Sequence, residues 1–172
     1  MVVRPTHRII AHRPHGSFDW ISALADTFAL EDLGPLSPVK AEERVASAGP
    51  ESLVLLPDGE DRAWLAVARP EALRSAGVSS ERQRIAAVVF DELVLRTLYG
   101  LEADQASNEG LLSYSRSPAS AAAVSGGGGC AFILPPVSLE DVWDVAYRGG
   151  RLPPKCTYFE PKMPSGLLFR PL

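Results

Sequence analysis

Residues 80–99 constrain the fold more than any other stretch. Ile85, Val88, Val89, Phe90, Leu93, Val94, Leu95 and Leu98 recur at helical spacing, and Gly100 closes the run. These side chains cover more than one narrow stripe. A helix that is apolar on several sides has to be wrapped by other structure rather than laid on a surface. The chain has 172 residues, enough for one domain to bury about 70% of the surface its unfolded form exposes. Apolar residues make up 46%, which excludes whole-chain disorder.

The wrapping material reads as alternating short helices and strands. Residues 7–11 are predicted to form a strand. Residues 18–29 are predicted as a helix capped by Ser17, with Trp20, Leu24 and Phe28 on one face. A second helix is expected over 38–48, with Pro38 in its first turn and Gly49-Pro50 after it. Residues 53–56 and 63–68 flank Pro57-Asp58-Gly59, the chemistry of a turn between paired strands. Residues 71–75 suggest a helical turn, 111–114 a strand, 118–124 an alanine-rich helix and 130–134 an apolar strand. Ser138 with Asp141 resembles a capping box for a helix through Tyr147. Residues 157–159 and 167–169 are expected to close the fold as a strand pair. The fold class is therefore α+β, a mixed sheet with flanking helices in a single domain over 1–172.

Charge narrows the partners. Seventeen bases against 21 acids leave a net charge of −4, which argues against a general nucleic-acid binder. The bases concentrate at the ends: residues 1–16 sum to +3 and residues 148–172 to +4. Brought together, such ends could meet a small anionic ligand; left apart, they are solvated termini. No run of about 18 apolar residues predicts a membrane-spanning helix. The opening MVVRPTHRII lacks the apolar stretch of a secretory signal. The expected location is cytoplasmic, and the two cysteines, Cys130 and Cys156, suit a reducing compartment.

Three motifs favour plain readings. The glycine run 126–129 lacks the Lys-Ser/Thr end of a P-loop and precedes a strand rather than a helix, so it reads as a surface connection. His7, His12 and His15 have no cysteine or acid between them, and no metal is expected there. Cys156 is expected to be a packed thiol rather than a nucleophile.

The stretch Pro153-Pro154-Lys155-Cys156-Thr157-Tyr158-Phe159-Glu160-Pro161-Lys162 is different. Only three lysines occur in the chain, and two of them bracket this motif among backbone-fixing prolines. Lysine offers a compact charge suited to phosphate oxygens, Thr157 a hydroxyl and Tyr158 a phenol. Lys155, Thr157, Tyr158 and Lys162 are therefore the candidate phosphate- or substrate-binding residues. Strand alternation places Lys155, Thr157 and Phe159 on one face. An ordinary closing hairpin with solvated lysines remains the alternative.

The tail PPKCTYFEPKMPSGLL resembles the closing signature of a bacterial and archaeal family first described as a domain of unknown function, whose usual form is roughly MPQKSTYFYPK followed by SGLV. The preceding CAFILPPVSLEDVWDVAYRGGRLPPK resembles that family's run into the signature, and PTHRII resembles the strand that begins its C-terminal half. The resemblance implies a chain corresponding to the second half of a larger architecture, with a ParB/sulfiredoxin-like N-terminal half absent. Some members are described as free L-serine kinases that use pyrophosphate. The His-His-Arg-Tyr motif expected in the first half does not occur here, and His7-Arg8 is not its substitute. Cys156 stands where serine is usual, and Glu160 where an aromatic residue is usual.

The implied function is the C-terminal part of a small-molecule, free serine-type kinase-like protein, contributing an anion- or phosphate-binding wall and inactive alone. With its other half, it would be a phosphotransferase acting on an amino-acid hydroxyl. No intrinsic cofactor is implied, magnesium arriving with a phosphate donor; the sequence offers no clear base, and phosphoryl transfer needs a group to position the acceptor. The alternative is a non-catalytic binding or assembly module. Expected partners are a small anionic ligand and either a missing N-terminal half or a second copy, with no nucleic acid and no membrane.

Overall fold

A computed structural model describes residues 2–11, 18–124 and 127–161. Six strands form one sheet: β2 (His7–Ile10), β3 (Phe28–Gly34), β4 (Ser52–Pro57), β5 (Ala63–Ala68), β6 (Leu112–Ser115) and β7 (Cys130–Ile133). Their order is β3-β5-β4-β7-β2-β6. The class is α+β, as expected; each pairing in the sheet is antiparallel, where a mixed sheet was expected. A separate two-stranded ribbon pairs β1 (Val2–Arg4) with β8 (Tyr158–Glu160).

Both faces of the sheet are covered, which explains why the central strands are apolar at nearly every position. Ile10, Leu53, Leu55, Ala66 and Phe132 point to one side, where they pack on the segment around Val89, Phe90 and Val94. Their strand neighbours Ile9, Val54, Leu65, Ala131 and Ile133 point to the other. There they meet Ala41 and Val45 of α2 (Pro38–Ala48) and Ala121 of α8 (Pro118–Val124). The hairpin of β4 and β5 turns at the expected Pro57-Asp58-Gly59, and α2 begins with Ser37 as its cap and Pro38 in its first turn.

The buried segment 80–99 is wrapped as its composition requires, but it is not one continuous helix. Helix α4 (Ser80–Gln83) ends before Ile85, whose backbone is extended. Helix α5 (Ala86–Phe90) then runs into a π-helical turn, Asp91–Arg96, and into α6 (Thr97–Tyr99). Gly100 ends the run in the left-handed conformation that glycine adopts without strain. All residues from Ala86 to Phe90 are buried, together with Leu93, Val94 and Leu95. The widened turn shifts the helical phase and so helps an apolar surface broader than one stripe face the core on successive turns.

Residues 18–29 also depart from a single helix. Helix α1 covers only Trp20–Leu24, and its cap is Asp19, whose carboxylate accepts from the Ser22 amide at 3.0 Å. The Thr27 amide and hydroxyl both donate to the Leu24 carbonyl, after which Phe28 enters β3 opposite Ala68. A spacing of four between Trp20, Leu24 and Phe28 suits a strand's even positions as well as a helix, and pairing with β5 decides between them.

Helix α3 (Pro70–Ser75) starts at a proline, and α7 (Ala103–Asn108) precedes β6. Helix α9 (Leu139–Tyr147) begins at Ser138, whose hydroxyl accepts from the Asp141 amide at 3.0 Å. The strand at 158–160 pairs with β1; residues 167–169, its expected partner, lie outside the described residues. Among the described residues, no helix is long and apolar enough to cross a membrane.

Candidate functional site

The site lies at one end of the sheet, where β2 begins and β6 and β7 end. His7 and Arg8 open β2, and both are completely buried although both are polar. The His7 ring replaces a ladder partner for β7: its Nδ1 accepts from the Leu134 amide at 3.3 Å. Burial, with the neighbouring Arg8 charge, pushes its pKa down to about 4, so the ring is neutral near pH 7 with its proton on Nε2.

Arg8 is the hub of the segment leading into the signature. Its Nη1 donates to the Thr6 carbonyl and its Nη2 to the Pro154 carbonyl. Its guanidinium lies 5.4 Å from the centre of the Tyr114 ring. Burial works to lower its pKa, while Asp91, Tyr114 and Cys156 oppose that change. Arg8 Nε and Asp91 Oδ1 are both sealed from solvent without a hydrogen-bond partner among the described residues. Burial raises Asp91 to about 6, against the opposing pull of Arg8. Asp91 sits at the start of the π-helical turn and lines a cleft of about 170 Å³ with Arg82, Arg96, Arg151 and Pro154. Glu92 and Glu102 hold Arg96 there at 2.7 and 2.6 Å.

The candidates from the signature fall in different places. Tyr158 begins β8 opposite Arg4 of β1 and lines a second, larger cleft of about 520 Å³ with Arg4, Glu42, Arg116, Ser117 and Ser120. Arg116 stacks its guanidinium 4.5 Å from the centre of the Tyr158 ring. Thr157 is half-buried beside it in the chain. Lys155 is exposed and lies in a turn at φ +56°, not on the strand whose alternation was expected to align it with Thr157 and Phe159. Lys162 lies outside the described residues. Cys156 is buried, and burial raises its thiol pKa, which opposes thiolate formation.

The two basic ends of the chain do meet, through β1 and β8. Their charges are partly spent on contact: Arg4 Nε donates to Glu160 at 2.8 Å, the position where the resembled family carries an aromatic residue. Arg116 forms no ion pair with the described residues. Arg116 and its serines were not singled out from sequence; the only local signal is the polar run Ser115-Arg116-Ser117 before Pro118.

Other motifs go elsewhere. In the glycine run, the Gly128 amide donates to Asp58 and the Gly128 carbonyl accepts from Trp20 Nε1, so the described part is tied to the hairpin turn and α1. No group of three His, Cys, Asp or Glu among the described residues could hold a metal ion, and His12 and His15 are not among them. Comparison with known proteins adds no assignment: the chain matches no family model, no curated protein and no solved structure.

Proposed function

We propose that this chain supplies an anion-binding wall for a small phosphorylated ligand, as the C-terminal part of a free serine-type kinase-like protein. The observation that carries this reading is the stacking of Arg116 on Tyr158 at the wall of a cleft of about 520 Å³, beside the hydroxyls of Ser117 and Ser120. An arginine stacked on a ring is pre-organised, and it keeps its N–H donors for phosphate oxygens. Lys155, Thr157 and Lys162 join this reading through the signature alone: Lys155 and Thr157 do not line the cleft, and Lys162 lies outside the described residues. The kinase chemistry rests on the resemblance alone: a phosphotransferase acting on an amino-acid hydroxyl, with magnesium arriving on the donor and a complementary N-terminal half completing the site.

Calorimetric titration of the purified chain with inorganic phosphate and with magnesium pyrophosphate tests the wall. Saturable binding that weakens at least about tenfold in Arg116→Ala, the loss expected from a charge-assisted pair, supports it. Absence of binding to either probe overturns it.

A second reading, an assembly module, is favoured by one surface feature. Leu139, Trp143 and Tyr147 lie four residues apart on α9 and are 44%, 71% and 92% exposed. Large apolar groups aligned in this way mark interaction faces more often than scattered ones do. Sedimentation of the chain and of Trp143→Ser distinguishes it: a dimer lost in the variant supports assembly, and a monomer in both removes the self-association form of this reading.

A further inference from the structure

Within the Tyr158 cleft, Glu42 is a carboxylate among groups that otherwise suit an anion. The other lining acid, Glu160, is answered by Arg4 at 2.8 Å. Glu42 Oε1 lies 3.8 Å from His7 Nε2 and forms no ion pair with Lys or Arg among the described residues. That distance is too long for a hydrogen bond. His7 cannot neutralise Glu42 near pH 7, because its buried ring is uncharged. Nδ1 accepts from the Leu134 amide, so the only ring N–H lies on Nε2, the nitrogen nearer Glu42. The ring is fully buried, and Nε2 has no hydrogen-bond partner among the described residues.

A bare anion entering this cleft meets, besides Arg116 and the serines, a carboxylate that no cation answers among the described residues. Serine usage sharpens the division. The Ser115 hydroxyl donates to the Ser117 carbonyl and accepts from the Ser117 amide, so it is spent within the turn. The Ser117 hydroxyl accepts from the Ser120 amide and retains its proton for a ligand.

We propose that Glu42, which lies 3.8 Å from the unpartnered His7 Nε2, is a specificity-determining residue that selects a phosphate monoester carrying a hydroxyl on its alkyl arm. The phosphate sits on Arg116 and the Ser117 hydroxyl, and the ligand hydroxyl donates to Glu42 Oε1. The Glu42 side chain is 34% exposed in the free chain; a ligand that covers its carboxylate without offering a donor leaves it desolvated and unpartnered, so an analogue lacking the hydroxyl is disfavoured. This inference rests on the anion-wall reading.

The test compares two probes of equal heavy-atom count and charge, 2-hydroxyethyl phosphate and n-propyl phosphate, titrated into the chain and into Glu42→Ala. Glu42 lies on the outer part of α2, and alanine preserves the helix; thermal melting of both proteins checks the fold. The expected result is a preference of about tenfold or more for the hydroxylated probe, falling to within about twofold in Glu42→Ala as n-propyl phosphate binds more tightly. If both probes bind equally to the unmodified chain, or if the preference survives in Glu42→Ala, the role of Glu42 is overturned while the anion wall stands. If neither probe binds while inorganic phosphate does, the role of Glu42 is overturned and the anion wall stands; if inorganic phosphate and magnesium pyrophosphate fail as well, both readings fall together.

Discussion

Arg8 Nη2 donates to the carbonyl oxygen of Pro154 at 3.2 Å, across 146 residues of sequence. The same guanidinium donates to Thr6, so one buried side chain ties the start of β2 to the turn that leads into Lys155, Thr157 and Tyr158. A surface arginine would gain little from such bonds. The bond to Thr6 is buried and satisfies a carbonyl that would otherwise be desolvated without a donor, and the bond to Pro154 is part-buried.

Arg8→Met is therefore expected to destabilise the fold by about 3 kcal/mol or more, since it removes two charge-assisted bonds and leaves Asp91 without its nearest buried cation. The double variant Arg8→Met/Asp91→Asn should recover part of that loss, because the orphaned charge is gone. Urea unfolding of the single and double variants measures the coupling; simple additivity of the two changes would show that Arg8 and Asp91 do not sense each other.

Stability against pH carries a second signature. Asp91 rises from 3.8 in the unfolded chain to about 6 when folded. The folded state therefore holds this proton more tightly, and Asp91 adds stability as pH falls through 6 towards 4. His7 drops from 6.5 to about 4, so it stabilises above 6.5 and withdraws that contribution as pH falls towards 4. Each shift corresponds to about 3 kcal/mol with opposite sign, and over this window the two largely cancel. In Asp91→Asn only the His7 part remains. Relative to the unmodified chain, the variant should lose roughly 2–3 kcal/mol between pH 7 and pH 4. Parallel pH dependences for the two proteins would contradict the burial of the Asp91 carboxyl.

The aromatic centre of the core gives a third expectation. Phe132 is fully buried, edge-on to Phe90 at 5.0 Å and to Trp20 at 5.5 Å. Phe132→Ala should cost about 3–5 kcal/mol by chemical denaturation, combining lost transfer energy with a cavity that three elements cannot all close. Phe132→Leu should cost markedly less, because it restores most of the volume.

Lys155 separates backbone strain from charge. Its φ of +56° is unfavourable for any residue with a Cβ and free for glycine. Lys155→Gly should be more stable than Lys155→Ala by about 1 kcal/mol. Both variants remove the ammonium group, so both should weaken phosphate binding to a similar degree. A loss of binding in the alanine variant alone would assign the effect to the turn rather than to the charge.

The elements that were legible in the sequence are those whose causes are local. Helix α2 was set by Pro38 and Gly49-Pro50, the β4–β5 hairpin by Pro57-Asp58-Gly59, and α9 by the Ser138 cap. In each case the deciding interactions span only a few residues. The need to bury residues 80–99 was equally plain, because it depends on composition along one segment. Among the candidate residues, the chemistry of Tyr158 and Lys155 could be proposed from residue type and spacing alone.

Tertiary structure decided the rest. Phe28 became a strand residue because β5 offered it a partner, and residues 80–99 divided into three short helices and a π-helical turn because the core presses on them from several sides. Arg116 met Tyr158, and Glu42 met His7, only through pairing of β2 with β6 and β1 with β8 and the packing of α2 over the sheet. Side-chain burial and charge proximity are properties of three-dimensional packing. No window of sequence contains both ends of a contact such as Arg4 with Glu160, 156 residues apart.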